Sequence, residues 1–297
     1  MGNDNISSEF LTILSTLPDM YRKFFLSSYG VDIEKLFFDA DDWKKRNMVI
    51  PKLPEQNEIC SYFAEIDQMI GLHQRKHEKL VTLKKAMLKK MFPQNGATTP
   101  EIRFKGFSKP WEEKKIGEIC GDTYGGGTPR TSEGIFWNGS IDWIQSSDLT
   151  SGQLTNVAPR KKITEGGLKA SATKLIPENS IAIVTRVGVG KLAFISHKYA
   201  TSQDFLSLSK LRIDAWYAVY SIWKTLQSKL HTVQGTSIKG LTKEELLSMR
   251  MLVPKQEAEQ QKIGTYFRQL DELIAQHGTQ VEKLKQIKTA CLEKMFV

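Results

Sequence analysis

The sequence lacks any run of apolar residues near the roughly 18–20 that a membrane-spanning helix needs. Its first residues, MGNDN, bring neither a basic stretch nor a long apolar stretch, which argues against a secretory signal. Cysteine is scarce, and Cys60, Cys120 and Cys291 are far apart and odd in number. This spacing is typical of neither a disulfide framework nor a cysteine-based zinc site. We therefore expect a protein of the reducing cytoplasm with no membrane association.

The composition is that of a globular protein with an excess of positive charge. Of the 297 residues, 40% are hydrophobic and 25% are charged, which excludes full disorder and a fibrous repeat. Lysine and arginine number 42 against 33 acidic residues, a net charge of +9, and residues 93–253 hold +7 of it. This excess favours a polyanionic partner, most often nucleic acid, over a basic protein whose charge serves only solubility.

An internal repeat organises the chain. Residues 55–92 align without a gap on residues 259–296, and 17 of the 38 positions are identical. A match of this length does not arise by chance, so both copies are predicted to form the same structural unit. The identities include Gln56/Gln260, Phe63/Phe267, Asp67/Asp271, His73/His277 and Met91-Phe92/Met295-Phe296.

Each copy of the repeat predicts one long helix, because proline precedes the first copy and follows it but does not occur inside it. The seam positions step by four and three residues, a period of 3.5 that is typical of a coiled coil. We predict an antiparallel coiled coil between the two copies, with pairing between chains as the alternative. In the first copy the seam is Ile59, Phe63, Ile66, Ile70, His73, His77, Leu80, Lys84, Met87 and Met91.

The segment between the copies predicts a mixed α/β globular domain of about 160 residues, a normal domain size. Glycine-rich turns separate short apolar runs of strand character at 141–145, 180–185, 192–196 and 205–208. Asp214 is expected to cap an amphipathic helix, and Thr242 with Glu245 has capping-box spacing for a second helix. The predicted order is an N-terminal segment (1–50), a helix (51–93), the globular domain (94–253) and a second helix (254–297).

Residues 1–50 echo the end of the globular domain. Gly30-Val31-Asp32-Ile33 precedes Pro51 much as Gly235-Thr236-Ser237-Ile238 precedes Pro254, and Trp43 stands where Leu246 does. One interpretation is that the segment is the remnant of a second globular domain. The other is an unrelated helical leader, and the sequence leaves both open.

The alternation of globular segment and long helix resembles the specificity subunit of type I restriction–modification systems, over nearly the whole chain. Each motif is weak alone, but their order is specific. In the helices the resemblance rests on Pro254, Glu259-Gln260, Ile263, Leu270-Asp271, Ile274, Leu284, Lys288 and Met295-Phe296. In the domain it rests on Phe104-Lys105-Gly106-Phe107, Trp111, Ile116-Gly117-Glu118, Gly126-Gly127-Thr128-Pro129, Trp137-Asn138-Gly139, Trp143 and Gln234-Gly235.

The resemblance implies that residues 94–253 are a target-recognition domain that reads half of a split sequence in double-stranded DNA. It implies that the helices hold two such domains apart and dock the modification (methyltransferase) subunits, with a restriction subunit joining through the complex. The subunit itself would be non-catalytic, with no cofactor and no metal. Two readers on one duplex must lie about 34 Å apart or a multiple of it, and a stiff helix pair suits that task.

The chain departs from the family at its front, where one complete recognition domain and a 50-residue remnant stand in place of two complete domains. One hypothesis is a homodimer that reads a symmetric split site. Another is a non-functional or cassette-like fragment. A third, of a different class, is a coiled-coil scaffold without sequence-specific DNA binding.

Base readout requires side chains with paired hydrogen-bonding groups on exposed loops, such as arginine for guanine and glutamine for adenine. For the serine and threonine candidates the alternative is turn capping. We expect Trp137, Trp143, Trp216 and Trp223 to be core residues rather than stacking platforms. The candidate DNA-binding residues are Thr128, Arg130, Gln145, Ser146, Arg186, Lys191, Gln203, Gln234, Ser237 and Lys239.

No catalytic motif emerges from the sequence. Residues 188–191 (GVGK) share letters with a phosphate-binding loop, but Leu192 replaces the serine or threonine that would hold magnesium. We expect a turn between strands, or a loop that contacts DNA phosphate. His73 and His77 are four residues apart, but both lie on the helix seam without a third ligand nearby, so a seam role is favoured over a metal site.

Overall fold

A computed structural model of the chain describes residues 5–30, 37–47, 49–94, 96–232 and 240–296. Within these ranges no helix combines the length and the apolar character that crossing a membrane requires. The helices are α1 (Ser8–Ser15), α2 (Pro18–Leu26), α3 (Ala40–Lys44), α4 (Leu53–Lys90), α5 (Glu165–Lys169), α6 (Ala215–Thr232), α7 (Lys243–Ser248) and α8 (Glu257–Met295).

In the described part of the chain the strands form four small sheets, whose pairs are antiparallel except for β5–β9. The largest has the strand order β4-β10-β7-β8, and the others are β6-β5-β9, β11-β3 and β1-β2. The strands are β1 (Ser28–Tyr29), β2 (Phe37–Phe38), β3 (Glu112–Lys115), β4 (Cys120–Gly125), β5 (Trp137–Ile144), β6 (Lys161–Ile163), β7 (Ser180–Val184), β8 (Leu192–Ile195), β9 (Ala200–Thr201), β10 (Phe205–Leu211) and β11 (Arg250–Val253).

Helices α4 and α8 pack against each other, and each is roughly 55 Å long at about 1.5 Å per residue. Residue numbers in α8 fall as those in α4 rise, so the helices are antiparallel. The predicted antiparallel coiled coil is confirmed. Polar pairs join the helices, among them three with side-chain distances of 2.6, 2.9 and 2.5 Å: Asp67–Lys288, His73–His277 and Lys84–Asp271.

The chain divides into two units, of which the first comprises Met1–Leu80 with Leu273–Val297. Its core is formed where α1 and α2 cover the N-terminal half of α4, with Phe10, Met20, Phe63 and Ile66 all buried. Ser7 caps α1 by accepting a hydrogen bond from the backbone N–H of Phe10 at 3.1 Å.

The second unit, Val81–Glu272, holds the mixed α/β domain that the sequence predicts. All five residues of the inner strand β7 are fully buried, which explains why its sequence is a continuous apolar run rather than an alternating one. Asp214 caps α6 through the backbone N–H of Tyr217 at 2.8 Å, and Thr242 and Glu245 form the expected capping box of α7. The predicted strands at 141–145, 180–185, 192–196 and 205–208 correspond to β5, β7, β8 and β10.

Candidate nucleic-acid interface

Four strands of the largest sheet start or stop at the same end of the sheet. Gly125, the last residue of β4, pairs with Leu206 near the start of β10, and Phe205 pairs with Val184, the last residue of β7. Leu192, which opens β8, pairs with Ile183. The loops that leave or enter these four strands therefore lie at the same end of the sheet.

The loop after β5 joins the same edge, because Ser202 donates its backbone N–H to the carbonyl of Ile144 at 3.0 Å. Lys191 also donates its ammonium to the carbonyl of Ser146 at 3.2 Å. We call the resulting surface the polar edge. It consists of the loops 126–130, 145–148, 186–191 and 202–204.

Tight packing of Gly126 and Gly127 sets the position of the first loop. A Cβ added to Gly126 would lie 1.9 Å from the carbonyl oxygen of Ser202, and one added to Gly127 would lie 2.4 Å from the backbone N of Thr173. The carbonyl of Gly127 also accepts a hydrogen bond from the indole of Trp143 at 2.9 Å. Only glycine fits this close approach, which places the next residue, Thr128, at the surface of the edge.

Thr128 and Gln203 are both exposed and hydrogen-bonded, the Thr128 hydroxyl donating to the Gln203 side-chain carbonyl. They are 75 residues apart in sequence. The bond uses the carbonyl oxygen of the glutamine amide and leaves its NH₂ group available to donate.

The turn between β7 and β8 carries two cations, Arg186 and Lys191, and hydrogen bonds hold its backbone in place. Gly188 and Gly190 have φ angles of +89° and +94°, which other residues rarely adopt. The carbonyl of Gly190 accepts a hydrogen bond from the side chain of Gln227 at 3.1 Å, while Lys191 is held by Ser146. Arg186 is exposed at the start of the turn. The expectation that residues 188–191 form a turn between strands is confirmed.

The remaining candidates are arranged less uniformly. Gln145 and Ser146 are half-buried at the polar edge, where the backbone N–H of Gln145 is bound by the Asp148 carboxylate at 2.9 Å. Arg130 lies at the far end of its loop with a side chain 80% exposed, and its guanidinium is 3.8 Å from Glu133. It forms no described contact with the other candidates.

Gln234, Ser237 and Lys239 lie outside the described residues. The described chain resumes at the polar edge, where Leu241 donates its backbone N–H to the carbonyl of Thr185 at 2.7 Å. Thr185 in turn donates its backbone N–H to the backbone carbonyl of Asp204 at 2.7 Å.

Arg160 is a cation of this region that the sequence reasoning missed. Its guanidinium contacts Asp148 at 2.8 Å and the Ser147 hydroxyl at 2.6 Å, yet its side chain is 64% exposed. The run Arg160-Lys161-Lys162 was the available signal, but only the fold brings Arg160 next to Asp148.

The tryptophans are less uniformly buried than expected. Trp143 is a core residue at 3% exposure, but Trp137, Trp216 and Trp223 are only half-buried. Trp137 packs edge-on against Trp143, with the Lys161 ammonium 5.4 Å from its ring centre. The core prediction therefore holds fully for Trp143, and the other three side chains are partly exposed.

The described residues offer little for acid–base or metal chemistry. Burial raises the pKa of the Tyr199, Tyr217 and Tyr220 phenols well above the ordinary value, so these hydroxyls stay neutral and act as structural donors. No group of three histidine, cysteine or acidic side chains among the described residues is arranged to hold a metal ion. His73 pairs with His277 across the helices at 2.9 Å, as its seam position suggests.

Comparison with known sequences identifies one family. Residues 108–286 match the family described as Type I restriction modification DNA specificity domain. The Type I restriction enzyme MjaIX specificity subunit of Methanocaldococcus jannaschii is 30% identical over 196 residues, which cover 64% of this chain and 44% of that protein. The EcoR124I/EcoR124II specificity subunit of Escherichia coli is 45% identical over 89 residues, 30% of this chain and 21% of that protein. The matched part spans less than half the length of either relative.

Solved structures show the same fold. The S subunit of a type I restriction–modification system from M. genitalium aligns with a TM-score of 0.64 at 13% identity, covering 99% of this chain and 73% of that one. The HsdS subunit of Thermoanaerobacter tengcongensis gives a TM-score of 0.51 at 20% identity, with coverages of 99% and 70%. The family match extends over more than half of the chain and includes the polar edge, and the chain therefore belongs to the type I restriction–modification specificity family.

Proposed function

We propose that this chain is a sequence-specific DNA-binding subunit that directs a type I restriction–modification complex to one half of a split target site. The observation that carries the proposal is the convergence of Thr128, Gln145, Ser146, Arg186, Lys191 and Gln203 on the polar edge. Their side chains carry the hydrogen-bonding groups and charges that contacts with bases and phosphates require. They come from four loops inside the domain that matches the family.

The chemistry of the polar edge suits base readout. Arg186 offers the guanidinium fork that binds guanine, and Gln203 offers an amide of the kind that binds adenine. The Thr128 hydroxyl orients that amide, which lowers the entropy lost on binding. Lys191, anchored to Ser146, is better suited to a backbone phosphate, which positions the protein without reading sequence.

The proposed organisation keeps the order predicted from the sequence, with a recognition domain over 94–253 and helices over 51–93 and 254–297. Residues 1–50 are proposed to be the final part of a second recognition domain. In support, Ser7 caps α1 and donates its backbone N–H to the side chain of Gln56. Asp214 caps α6 and donates its backbone N–H to the equivalent Gln260 in the same way. An unrelated helical leader has no reason to reproduce this contact.

The proposed partners are double-stranded DNA, the modification subunits that carry methyl transfer, and the restriction subunit through the complex. The chain itself is proposed to be non-catalytic and to act in the cytoplasm. We propose further that two copies of the chain form a homodimer on a symmetric split site, since two recognition domains on one duplex suffice to read both halves of such a site.

The decisive experiment is sequencing of methylated bases in cells that make this chain together with its modification subunit. A symmetric split motif is expected from a homodimer, and an asymmetric motif would overturn the dimer while keeping the recognition function. No new motif, together with no sequence preference on randomised duplex DNA, would overturn the recognition function. That result would leave a fragment or a coiled-coil scaffold.

Single substitutions then test the readers. Arg186→Ala and Gln203→Ala are each expected to weaken specific binding by about 1–3 kcal/mol and to relax preference at one base pair. Arg130→Ala tests the candidate that lies apart from the others. A variant whose base preference in a selection assay equals that of the parent chain is not a reader.

A further inference from the structure

The second unit contains a polar pocket that recognition at the polar edge does not use. Its volume is about 480 Å³. Its walls come from α6, from β11 and from Phe92 and Pro93, which follow α4. Glu113 is an acidic member of its lining. The other polar members are cations and hydroxyl groups, namely Lys224, Lys229, Arg250, Ser221, Thr225 and Ser228.

Lys224 is the unusual residue of this pocket. Its side chain is half-buried, with the ammonium donating to the carbonyl of Pro93 at 3.2 Å and lying 5.5 Å from the centre of the Phe92 ring. No carboxylate in the described part of the chain forms an ion pair with it, since Glu113 pairs with Arg250. The carbonyl and the ring replace only part of the hydration that the ammonium loses, and burial lowers the pKa of Lys224.

A half-buried ammonium without a carboxylate is costly, because the water it loses is not replaced by an opposite charge. An apolar residue would stabilise this position better if stability were its purpose. The cations and hydroxyl groups of this pocket suit an anionic ligand.

The pocket shares helix α6 with a contact of the polar edge. Gln227 lies one helical turn after Lys224 on α6, and its amide holds the carbonyl of Gly190 in the β7–β8 turn at 3.1 Å. The same turn carries Arg186 and Lys191. The pocket is therefore built on the helix that supports the polar edge, about one turn from the residue that anchors it.

We propose that this pocket binds a backbone phosphate of DNA flanking the bases read at the polar edge. Lys224 supplies the buried cation, and the Ser228 hydroxyl, four residues further along α6, supplies a donor. A phosphodiester has more acceptor sites than a carboxylate, which suits a lining of several cations and hydroxyls. The proposal rests on the proposed function, because it places a further phosphate of the same duplex.

The test is the salt dependence of DNA binding by the full chain, measured on a duplex that carries its motif and on an unrelated duplex. Each phosphate neutralised by the protein contributes about −0.9 to the slope of log K against log salt concentration. Lys224→Met is expected to make the slope shallower by about 0.9 and to weaken binding to both duplexes by the same factor. The base preference should not change, because phosphate contacts carry no sequence information.

Two matched variants keep the result interpretable. Lys283→Met removes the same charge from an exposed position on α8 in the first unit, and its slope should equal that of the parent chain. Ser228→Ala keeps the cation, so it should weaken binding with an unchanged slope. Lys224→Met should unfold at the same temperature as the parent or higher, since it removes an uncompensated charge.

A slope for Lys224→Met equal to that of Lys283→Met would overturn the phosphate site. If the variant then also failed to copurify with the modification subunit, the anion would be a partner's carboxylate instead. The proposed function fails separately, when the parent chain shows no base preference. A chain that binds DNA without preference but loses slope on Lys224→Met keeps the phosphate site.

Discussion

The two copies of the repeat make the same contacts in different surroundings. In the first unit, the Gln56 side chain donates to the carbonyl of Pro51 at 2.9 Å and accepts the backbone N–H of Ser7. In the second unit, Gln260 donates to Pro254 at 2.7 Å and accepts the backbone N–H of Asp214. Each glutamine thereby ties the start of a capped helix to the long helix that carries it.

Aromatic contacts follow the same rule. Phe296 lies 5.9 Å from Phe10 and 6.5 Å from Phe63, measured between ring centres, in the first unit. The equivalent residue of the other copy, Phe92, lies 5.7 Å from Tyr217 and 5.8 Å from Phe267 in the second unit. The repeat therefore preserves these tertiary contacts, in addition to a helical period.

One difference between the copies is the burial of an ion pair. Lys84 and Asp271 in the second unit are 12% and 15% exposed, and Asp271 also accepts the Tyr220 hydroxyl at 2.7 Å. Their equivalents in the first unit, Lys288 and Asp67, are 32% and 55% exposed. The same two residue types thus form a buried network in one unit and a surface pair in the other, so sequence identity does not imply equal energy.

The largest expected effect tests whether the shared aromatic contacts are equivalent. Phe267 and Phe63 are 0% and 2% exposed, so truncation of either to alanine should cost about 3–5 kcal/mol. Hydrogen exchange of the long helices measures this loss locally, in the unit that contains the substitution. A cost below about 1 kcal/mol at Phe63 would show that the first unit packs its aromatic contacts loosely.

The two equivalent ion pairs should contribute differently to the free energy of unfolding. Asp271→Asn leaves the Lys84 ammonium buried without its counter-charge, and we expect a loss of about 3 kcal/mol. Asp67→Asn breaks an exposed pair and should cost at most about 1 kcal/mol. Chemical denaturation of the two variants gives the comparison directly, and equal losses would refute the assignment of different energies to the two pairs.

The long helices could be predicted because their signal is local. The 3.5-residue period and the absence of proline beyond the first turn depend on residues close together in sequence, and so do the caps of α6 and α7 at Asp214 and Thr242. The strands were recognisable as short apolar runs for the same reason, although their order in the sheets was not, because strand pairing is non-local.

The polar edge could be predicted only by residue type. Thr128 and Gln203 were both selected as candidates, but their contact depends on the packing of Gly126 against Ser202, which no local pattern reveals. Arg160 was missed because its exposure and its contact with Asp148 arise only after β5 and β6 pair. Residue chemistry identifies what can bind, while non-local packing decides which residues act together.

A smaller effect should come from making the first unit resemble the second. Ser7 and Phe10 correspond to Asp214 and Tyr217, so the next equivalent pair along the helices is Ile13 and Tyr220. A pocket of about 490 Å³ lies between Ile13, Asp67 and Lys288. Ile13→Tyr should place a hydroxyl near Asp67 and stabilise the first unit by about 1 kcal/mol.

Ile13→Phe is the matched control, because it fills the same space without the hydroxyl. Thermal unfolding of both variants isolates the hydrogen bond as the difference between them. If the tyrosine variant is no more stable than the phenylalanine variant, the equivalence of Ile13 with Tyr220 does not extend to the ion pair.

The smallest expected effect concerns the contact between His73 and His277. Among the described polar pairs, it is the only one in which the same repeat position of both copies meets as identical residues. Their Nδ1 atoms are 2.9 Å apart, so one ring must donate and the other must accept through an unprotonated nitrogen. Burial, and then the nearby charges of His73, Lys76 and His77, lower the pKa of His277. The folded state therefore binds fewer protons here than the unfolded chain.

Stability from this pair is fully present above the unfolded pKa of about 6.5 and is lost as the pH falls towards the lower folded pKa of His277. Denaturation midpoints of the parent chain should thus fall between pH 7.5 and pH 5.5 by more than those of His277→Gln, which has no titrating group at this position. The loss should be small because both rings are half-buried and water screens their charges. Equal pH dependence in the two proteins would show that the histidine pair packs the helices without sensing protons.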